Sequence, residues 1–304
     1  MLERAAEAYD FGAAMRARPA APAEAAPAAA PEAEPAPAPA RAAEPARVGA
    51  KRAPAPVSRH GVAAIDRTKL AEAGFVVPDA PVTGLAEEFR LIKRQLLASI
   101  ERRMSLPEDK RRSVLISSAQ SGEGKSFCAI NMALSLAGER DVEVLLVDAD
   151  FSKPDVLSTL GIEGGPGLVD ALADPSSDPE AFVIRTDVPG LAILPAGAKA
   201  NNVPELLASG RTRDVLARLV AADPRRIILF DSPPALMASP ASVLAGHVGQ
   251  VLVIVRADKT TEADLRETMG LLSGCDQVGL ILNAAGIGVT GRKFGSYDGY
   301  GHEE

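Results

Sequence analysis

Apolar residues between positions 113 and 283 fall into two kinds of pattern. Short runs of Val, Ile and Leu are separated by stretches in which apolar residues recur at helical spacing. Strands that are apolar on both faces are typical of a mostly parallel sheet covered by helices on both sides. The pattern predicts a doubly wound α/β domain with ligands at the carboxyl ends of its strands. The predicted strands are SVLISS, VEVLLVD, LAILPA, RIILFD, GQVLVIV and VGLILN, and the predicted helices begin near Gly124, Asp155, Val203, Arg211, Pro240 and Thr261.

A further helix is predicted ahead of the first strand. In the stretch VTGLAEEFRLIKRQLLASIERR, five apolar side chains recur every three or four residues and make one stripe. A helix with such a stripe packs that face against the rest of the domain. The stripe consists of Leu85, Phe89, Ile92, Leu96 and Ile100.

The two ends of the chain have compositions unlike that of the central part. Ala and Pro make up 23 of the 28 residues between positions 19 and 46, and such a stretch has almost nothing to bury. Six glycines lie among the 17 residues 286–302 without any apolar period. We therefore expect a short helix over 1–16, a disordered Ala/Pro-rich linker over 17–80, one compact domain over 81–290 and a flexible tail over 291–304.

Charge and apolar content argue against three classes of protein: those that bind nucleic acid, those with a signal peptide and those that span a membrane. The formal net charge of −7 provides no field that would hold a nucleic-acid backbone, so we expect no nucleic-acid partner. The N-terminus has acidic residues and no apolar core of a signal peptide. The uncharged stretch 232–255 is interrupted by three prolines and does not have the pattern of a membrane span. We expect a soluble, cytoplasmic protein.

The stretch AQSGEGKS, residues 119–126, follows the first predicted strand and opens a helix. Its last five residues read Gly-x-Gly-Lys-Ser, typical of a phosphate-binding loop whose N–H groups face an anion. Lys125 would reach the β- and γ-phosphates, and the Ser126 hydroxyl would hold Mg²⁺. Ala119 stands where the full consensus has glycine, so the turn there needs no positive φ. The predicted nucleotide-contacting residues are Gln120, Ser121, Gly122, Glu123, Gly124, Lys125, Ser126 and Phe127.

Three carboxylates follow two other predicted strands. Asp148 and Asp150 come at the end of LLVDAD, and Asp231 ends RIILFD. An ordinary turn at a strand end could account for each aspartate alone. Together with the loop, however, they place a lysine, a hydroxyl and three carboxylates around one crevice, which suits a nucleotide with Mg²⁺. The predicted metal ligands are Ser126, Asp148, Asp150 and Asp231.

These motifs resemble those of the bacterial tyrosine kinases. The Asp-x-Asp strand end between the Walker A and Walker B elements resembles their Walker A′ motif, and their loop also commonly lacks the first glycine. The stretches GLVDALAD, LAILPAGAKANNVPELLAS and VIVRADKTT are similar to that family, and EEFRLIKRQLL resembles the cytoplasmic autokinases found beside exosortase-linked exopolysaccharide operons. The resemblance covers most of residues 83–304. It implies a P-loop NTPase fold of the MinD/ParA-like superfamily and ATP-dependent tyrosine autophosphorylation.

The resemblance also implies roles for individual residues. Lys125 would be catalytic and serve the phosphates, and Asp231 would act on Mg²⁺. Asp148 and Asp150 would be the A′ carboxylates, one near the metal and one accepting the proton of the substrate hydroxyl; which is the base stays open. Asn283 stands where related ATPases contact adenine, and a capping role is the alternative.

The helix near residue 90 resembles the oligomerisation motif Glu-x-x-Arg-x-x-Arg of the family. Glu87, Arg90 and Lys93 occupy its three positions, with lysine in place of the last arginine. The resemblance implies a homo-oligomeric ring. Ion pairs within the helix, at a spacing of three residues, are the alternative interpretation.

Two of the three tyrosines, Tyr297 and Tyr300, lie in the last nine residues, SYDGYGHEE. A glycine-rich tail that carries phenols can enter the active site of a neighbouring copy, which favours autophosphorylation in trans over an accidental pair of surface tyrosines. The alternative function is a MinD/ParA-like ATPase switch. Such proteins usually carry lysine at the second loop position, where this chain has Gln120. A module that binds ATP without chemistry is a third possibility, and it would not need Asp148 and Asp150.

The resemblance also implies partners and a location. Kinases of this family that lack a membrane span are generally activated by a membrane-embedded protein that controls polysaccharide chain length. We therefore expect such a partner, a protein tyrosine phosphatase, and a place in the cytoplasm peripheral to the inner membrane. The implied cofactors are ATP and Mg²⁺, and the implied role is regulation of exopolysaccharide polymerisation or export.

Overall fold

The computed structural model describes residues 61–285. The predicted helix over 1–16, most of the predicted linker, and the tail with Tyr297 and Tyr300 lie outside these residues. The described part contains seven strands. They are β1 Ser113–Ser118, β2 Glu143–Asp148, β3 Ile184–Arg185, β4 Leu191–Leu194, β5 Arg226–Asp231, β6 Gln250–Arg256 and β7 Val278–Asn283.

The same residues form ten α-helices and one short 3₁₀ helix. The first half comprises α1 Arg67–Glu72, α2 Gly84–Glu101, α3 Glu108–Arg111, α4 Lys125–Ala137, α5 Val156–Leu160 and α6 Leu168–Ala173. The 3₁₀ helix Pro179–Phe182 precedes α7 Val203–Ala208, α8 Gly210–Ala222, α9 Pro240–Ala245 and α10 Glu262–Leu271. Within residues 61–285, no helix combines the length and the apolar character that crossing a bilayer requires.

The strands form one sheet in the order β3-β4-β2-β5-β1-β6-β7. All neighbours pair in parallel except β3, which runs antiparallel to β4 at the edge. Helices bury an apolar core on each face: α1, α2, α4 and α5 contribute to one, and α6 to α9 to the other. The predicted doubly wound, mostly parallel fold is confirmed.

All six predicted strands are present, with small differences at their ends. The helix predicted before the first strand is α2, and three residues of its stripe, Phe89, Leu96 and Ile100, are buried. The prediction missed β3 and the helices α1, α3 and α6, which have two to six residues. Elements this short do not show a period that distinguishes them from loops.

Residues 61–80 are part of the fold, which corrects the predicted extent of the linker to residue 80. Leu70 of α1 is fully buried, and the Phe75 and Phe127 rings lie 4.8 Å apart. The backbone N–H of Val76 donates to the side-chain oxygen of Asn131 on α4 (2.7 Å). These contacts join positions about 55 residues apart in the chain, so the composition of the segment alone did not reveal them.

Arg226, the first residue of β5, is completely buried. Its guanidinium donates to Glu143 at 2.9 and 3.1 Å and to Glu180 at 2.5 and 3.0 Å, and it also donates to the carbonyl of Leu219. A buried charge is tolerated only when its partners satisfy it. The amino end of the sheet is therefore closed by a fully paired cation between two carboxylates.

We predict that Arg226→Ala destabilises the domain by about 3–5 kcal/mol, because it leaves two buried carboxylates without their counter-charge. The free energy of unfolding is measured by urea titration monitored by circular dichroism. The matched control is Arg225→Ala, whose half-exposed side chain pairs with Asp223 at 3.0 Å and should cost at most about 1 kcal/mol. Equal losses in the two variants would contradict the role given to the buried group.

Candidate active site

The phosphate-binding loop connects β1 to α4, as predicted. Gly122 and Gly124 have φ of 75° and 93°, and the amide of Asn283 leaves no room for a Cβ at Gly124. Ala119 is buried and is not among the described residues with positive φ. The expectation that the missing consensus glycine is not needed there is therefore confirmed.

Lys125 is the first residue of α4 and lies among carboxylates. Its Nζ is 2.9 Å from Asp150. Burial disfavours the charged amine, but the negative charges of Asp231 and Asp150 outweigh this effect and raise the pKa of Lys125. The lysine therefore stays protonated and presents a positive charge where the loop would bind phosphates.

Asp148 and Asp231 are neighbours because β2 and β5 pair in parallel register with these two residues opposite each other. Asp231 is fully buried, and neither of its carboxylate oxygens has a hydrogen-bond partner among residues 61–285. Burial raises the pKa of Asp231 to about 8, against the opposing charge of Lys125 and the nearby Ser126 hydroxyl. A buried acid without a partner is typical of a functional site.

The two A′ carboxylates differ in their surroundings. Asp148 accepts hydrogen bonds from the backbone N–H groups of Asp150 (3.3 Å) and Val156 (3.1 Å), yet burial dominates and raises its pKa to about 7. Asp150 is also buried, but the Ser152 hydroxyl (2.6 Å) and Lys125 outweigh that burial and lower its pKa. Asp150 is thus held ionised, whereas the pKa of Asp148 lies near neutral pH.

The residues at this edge fit a magnesium ion that also binds a nucleotide. No cluster of three or more His, Cys, Asp or Glu side chains suited to holding a metal by itself occurs within residues 61–285. Mg²⁺ at nucleotide sites usually takes one or two carboxylates and completes its shell with phosphates and water. The unpartnered carboxylate of Asp231, next to the Ser126 hydroxyl, supplies such a donor set.

Two of the predicted nucleotide-contacting side chains contact other parts of the protein. The ring of Phe127 contacts Phe75 and packs against the core. The side-chain amide of Asn283 donates to the carbonyl of Glu123 (2.9 Å), and its oxygen accepts from the N–H of Ala284. Asn283 therefore contacts the phosphate loop itself.

The sequence prediction missed two sets of residues at the site. Asp155 precedes α5, and one of its carboxylate oxygens is buried without a partner among the described residues. It lies close enough to Lys125, Asp148 and Asp231 to raise their pKa values. Its place in the stretch DADFSKPD, seven residues after Asp148, was the available signal. Arg256, at the end of β6, and Lys259, in the turn that follows, also contact the phosphate loop and were not among the predicted site residues.

The three residues of the predicted oligomerisation motif on α2 differ in their exposure. Glu87 and Arg90 are half-exposed and form an ion pair with each other. Lys93 is buried, and its Nζ contacts Glu139 at 2.6 Å and the carbonyl of Ser135 at 3.0 Å. This side chain joins α2 to α4, and the assignment of Lys93 to the oligomerisation motif stays a prediction.

Comparison with known proteins tests the family assignment. No protein-family model matches the chain. The chain is 30% identical over 220 residues to the tyrosine-protein kinase YwqD of Bacillus subtilis (strain 168), covering 71% of this chain and 85% of that protein. This chain belongs to the bacterial tyrosine-protein kinase family. The predicted membership is confirmed.

Two further relatives show which part of a longer family protein this chain matches. The putative tyrosine-protein kinase EpsB of Ralstonia nicotianae is 34% identical over 175 residues, which are 56% of this chain but only 22% of EpsB. The structure of the BceF tyrosine kinase domain superposes with a TM-score of 0.54 at 29% identity and covers 65% of this chain and 76% of that domain. The described fold is thus the kinase domain shared by the family.

The orphaned carboxylate of Asp231 predicts an unusual dependence of stability on pH. The pKa of Asp231 is about 8 in the folded protein and near 3.8 in the unfolded chain. Between these pH values the folded state binds one more proton than the unfolded state. The free energy of unfolding therefore falls as the pH rises from 4 to 8. Asp231→Asn removes this penalty, so at pH 8 we expect it to stabilise the protein by about 1–3 kcal/mol.

Urea titrations at pH 5 and pH 8, without nucleotide or Mg²⁺, measure this effect. The gain should shrink at pH 5. The matched control is Asp223→Asn, since pairing with Arg225 lowers the pKa of Asp223 to about 2 and its removal should destabilise the protein at both values. An Asp231→Asn variant that is less stable than the parent at pH 8 would show that the carboxylate is already satisfied.

Proposed function

We propose that this protein is an ATP-dependent tyrosine autokinase that transfers the γ-phosphoryl group to Tyr297 and Tyr300 of another copy. The observation that carries the proposal is the pair of buried carboxylates Asp148 and Asp231, opposite each other in the sheet and next to Lys125. Membership in the tyrosine-protein kinase family supports it. We further propose that this activity regulates exopolysaccharide polymerisation or export.

Binding would begin at the phosphate loop and the first turn of α4, where backbone N–H groups and the helix N-terminus attract the anion. Lys125 would orient the β- and γ-phosphates and stabilise their charge during transfer. Ser126 and Asp231 would hold Mg²⁺, which supplies further neutralisation of phosphate charge when it is bound. Positioning and electrostatics would provide most of the rate.

We infer that Asp148 accepts the proton of the tyrosine hydroxyl. A general base works best with a pKa near the working pH, and the pKa of Asp148 is about 7. Asp150 is less suitable because Lys125 and Ser152 hold it ionised. Its role would be to orient Lys125, from which it is separated by 2.9 Å.

Transfer to a hydroxyl is favoured over the ATPase switch by the surroundings of Asp231. The following residue, Ser232, is buried and donates its hydroxyl to the carbonyl of Ile116 (3.0 Å), so it does not polarise a water molecule. The second loop position is Gln120 instead of lysine. After transfer, phosphates on both tyrosines would add about three to four negative charges, which a site lined by carboxylates repels.

We also propose the partners that such a kinase needs. Glu87 and Arg90, exposed on α2, would contact the next subunit of a homo-oligomeric ring. Leu280 and Leu282, which are 56% and 59% exposed on the edge strand β7, would add apolar area to a protein contact. A membrane-embedded activator would place the kinase at the inner membrane, and a protein tyrosine phosphatase would reverse the reaction.

We predict that incubation with Mg²⁺ and ATP, together with a membrane activator, phosphorylates Tyr297 or Tyr300. Intact and peptide mass spectrometry would detect the phosphate. Lys125→Met should abolish it, whereas Lys199→Met, at an exposed position, should not. When Lys125→Met is mixed with an active chain that carries Tyr297→Phe and Tyr300→Phe, phosphate should appear on the Lys125→Met chain. ATP turnover with an unmodified tail would instead indicate the ATPase switch.

We predict that Asp148→Asn lowers the rate of phosphoryl transfer about 10²- to 10⁴-fold, because the base is lost. The affinity for ADP should change by less than about threefold, since Asp148 is not expected to contact the phosphates. Single-turnover phosphorylation and calorimetric titration with ADP measure the two effects separately. Asp150→Asn is the matched comparison, and we expect it to weaken ADP binding because it frees Lys125 from its partner. Transfer at the parent rate in Asp148→Asn would rule out this base.

A further inference from the structure

Three successive carbonyl oxygens of the phosphate loop are each held by a side chain from outside the loop. The donors come from the ends of β6 and β7 or the turn after β6, more than 130 residues away in the chain. Lys259 donates to the carbonyl of Ser121, Arg256 to that of Gly122 (3.0 Å) and Asn283 to that of Glu123 (2.9 Å).

Holding these carbonyls also sets the direction of the next N–H groups. The described residues contain no cis peptide bond, and in a trans peptide the C=O and the following N–H point in opposite directions. The N–H groups of Gly122, Glu123 and Gly124 must therefore point to the inner side of the loop. Positive φ at the two glycines makes such successive N–H groups converge into an anion-binding concavity.

A fourth contact stabilises the loop from within. The carboxylate of Glu123 is almost completely buried and accepts from the N–H of Gln120 (2.7 Å) and from the hydroxyl of Thr260. That hydroxyl also accepts from the N–H of Arg256 (2.8 Å), at the end of β6. Glu123 thus ties the start of the loop to the same turn that supplies Arg256 and Lys259.

We propose that Arg256, Lys259, Thr260 and Asn283 form a brace that holds the phosphate loop in its anion-binding conformation. They are positioning residues, which act through the loop and do not contact the phosphates. The proposal rests on the proposed function in taking a nucleotide as the ligand. It assigns Asn283 to the phosphates through the loop and not to the adenine base.

The test separates the two halves of the nucleotide. Pyrophosphate, ADP and adenosine are titrated into the full chain, with amide NMR shifts for the weak ligands and calorimetry for ADP. Thr260→Val and Asn283→Leu remove a brace contact without changing charge. We expect each variant to weaken the binding of pyrophosphate and of ADP by the same factor, about three- to tenfold for one lost hydrogen bond. The affinity for adenosine should stay unchanged.

Conservative and matched variants distinguish positioning from folding and from bulk charge. Thr260→Ser keeps the hydroxyl and should restore ADP affinity to the parent value. Lys259→Met should weaken pyrophosphate, whereas Arg266→Met loses the same charge from an exposed pair with Glu262 on α10 and should not. Thermal melting checks that each variant is folded. If Thr260→Val does not fold, Asn283→Leu and Lys259→Met still test the brace, with Thr260→Ser as the folded control at position 260.

The outcomes separate this proposal from the proposed function. Weaker adenosine binding with unchanged pyrophosphate in Asn283→Leu would show an adenine contact and overturn the assignment of that residue. Parent-like affinity for pyrophosphate in both Thr260→Val and Asn283→Leu would overturn the brace while leaving a nucleotide site. A parent chain that binds pyrophosphate but not ADP would contradict the proposed kinase and leave the brace testable; one that binds neither would overturn both.

Discussion

The active site depends on the parallel register of β1, β5 and β2. This register places Asp148 directly opposite Asp231, and β1, which pairs with β5 on its other side, leads into the phosphate loop. Every group proposed for chemistry therefore stands at one edge of a rigid sheet. A shift of one strand by two residues would separate the two carboxylates by about 7 Å along the strand direction and dismantle the site.

The strand β5 carries a buried ionisable residue at each end, and the two differ in whether other groups pair with them. Arg226 at its start is satisfied by two carboxylates and a carbonyl. Asp231 at its end has no hydrogen-bond partner among the described residues. The first arrangement closes the core, whereas the second leaves a carboxylate available to a cation at a cost in stability. One end of the strand therefore stabilises the fold, whereas the other end belongs to the candidate active site.

Two site residues show the limits of carrying a motif over to a new chain. Lys93 matches an oligomerisation motif by its spacing, but its ammonium contacts Glu139. Phe127 was predicted to contact the nucleotide, but its ring packs on Phe75 from the first turn of α4. A motif specifies which residue stands at a position, whereas the direction of the side chain depends on what packs beside it. In this protein, α4 and residues 61–80 supply those neighbours.

The sequence alone determined the six main strands, the phosphate loop and the carboxylates Asp148, Asp150 and Asp231, because apolar period and short motifs are local signals. Only the tertiary structure decided that residues 61–80 join the core, that Lys93 is buried, and that the ends of β6 and β7 hold the loop. These features depend on contacts between residues 40 to 160 positions apart. Such contacts arise from the packing of completed elements, and no local pattern of residues encodes them.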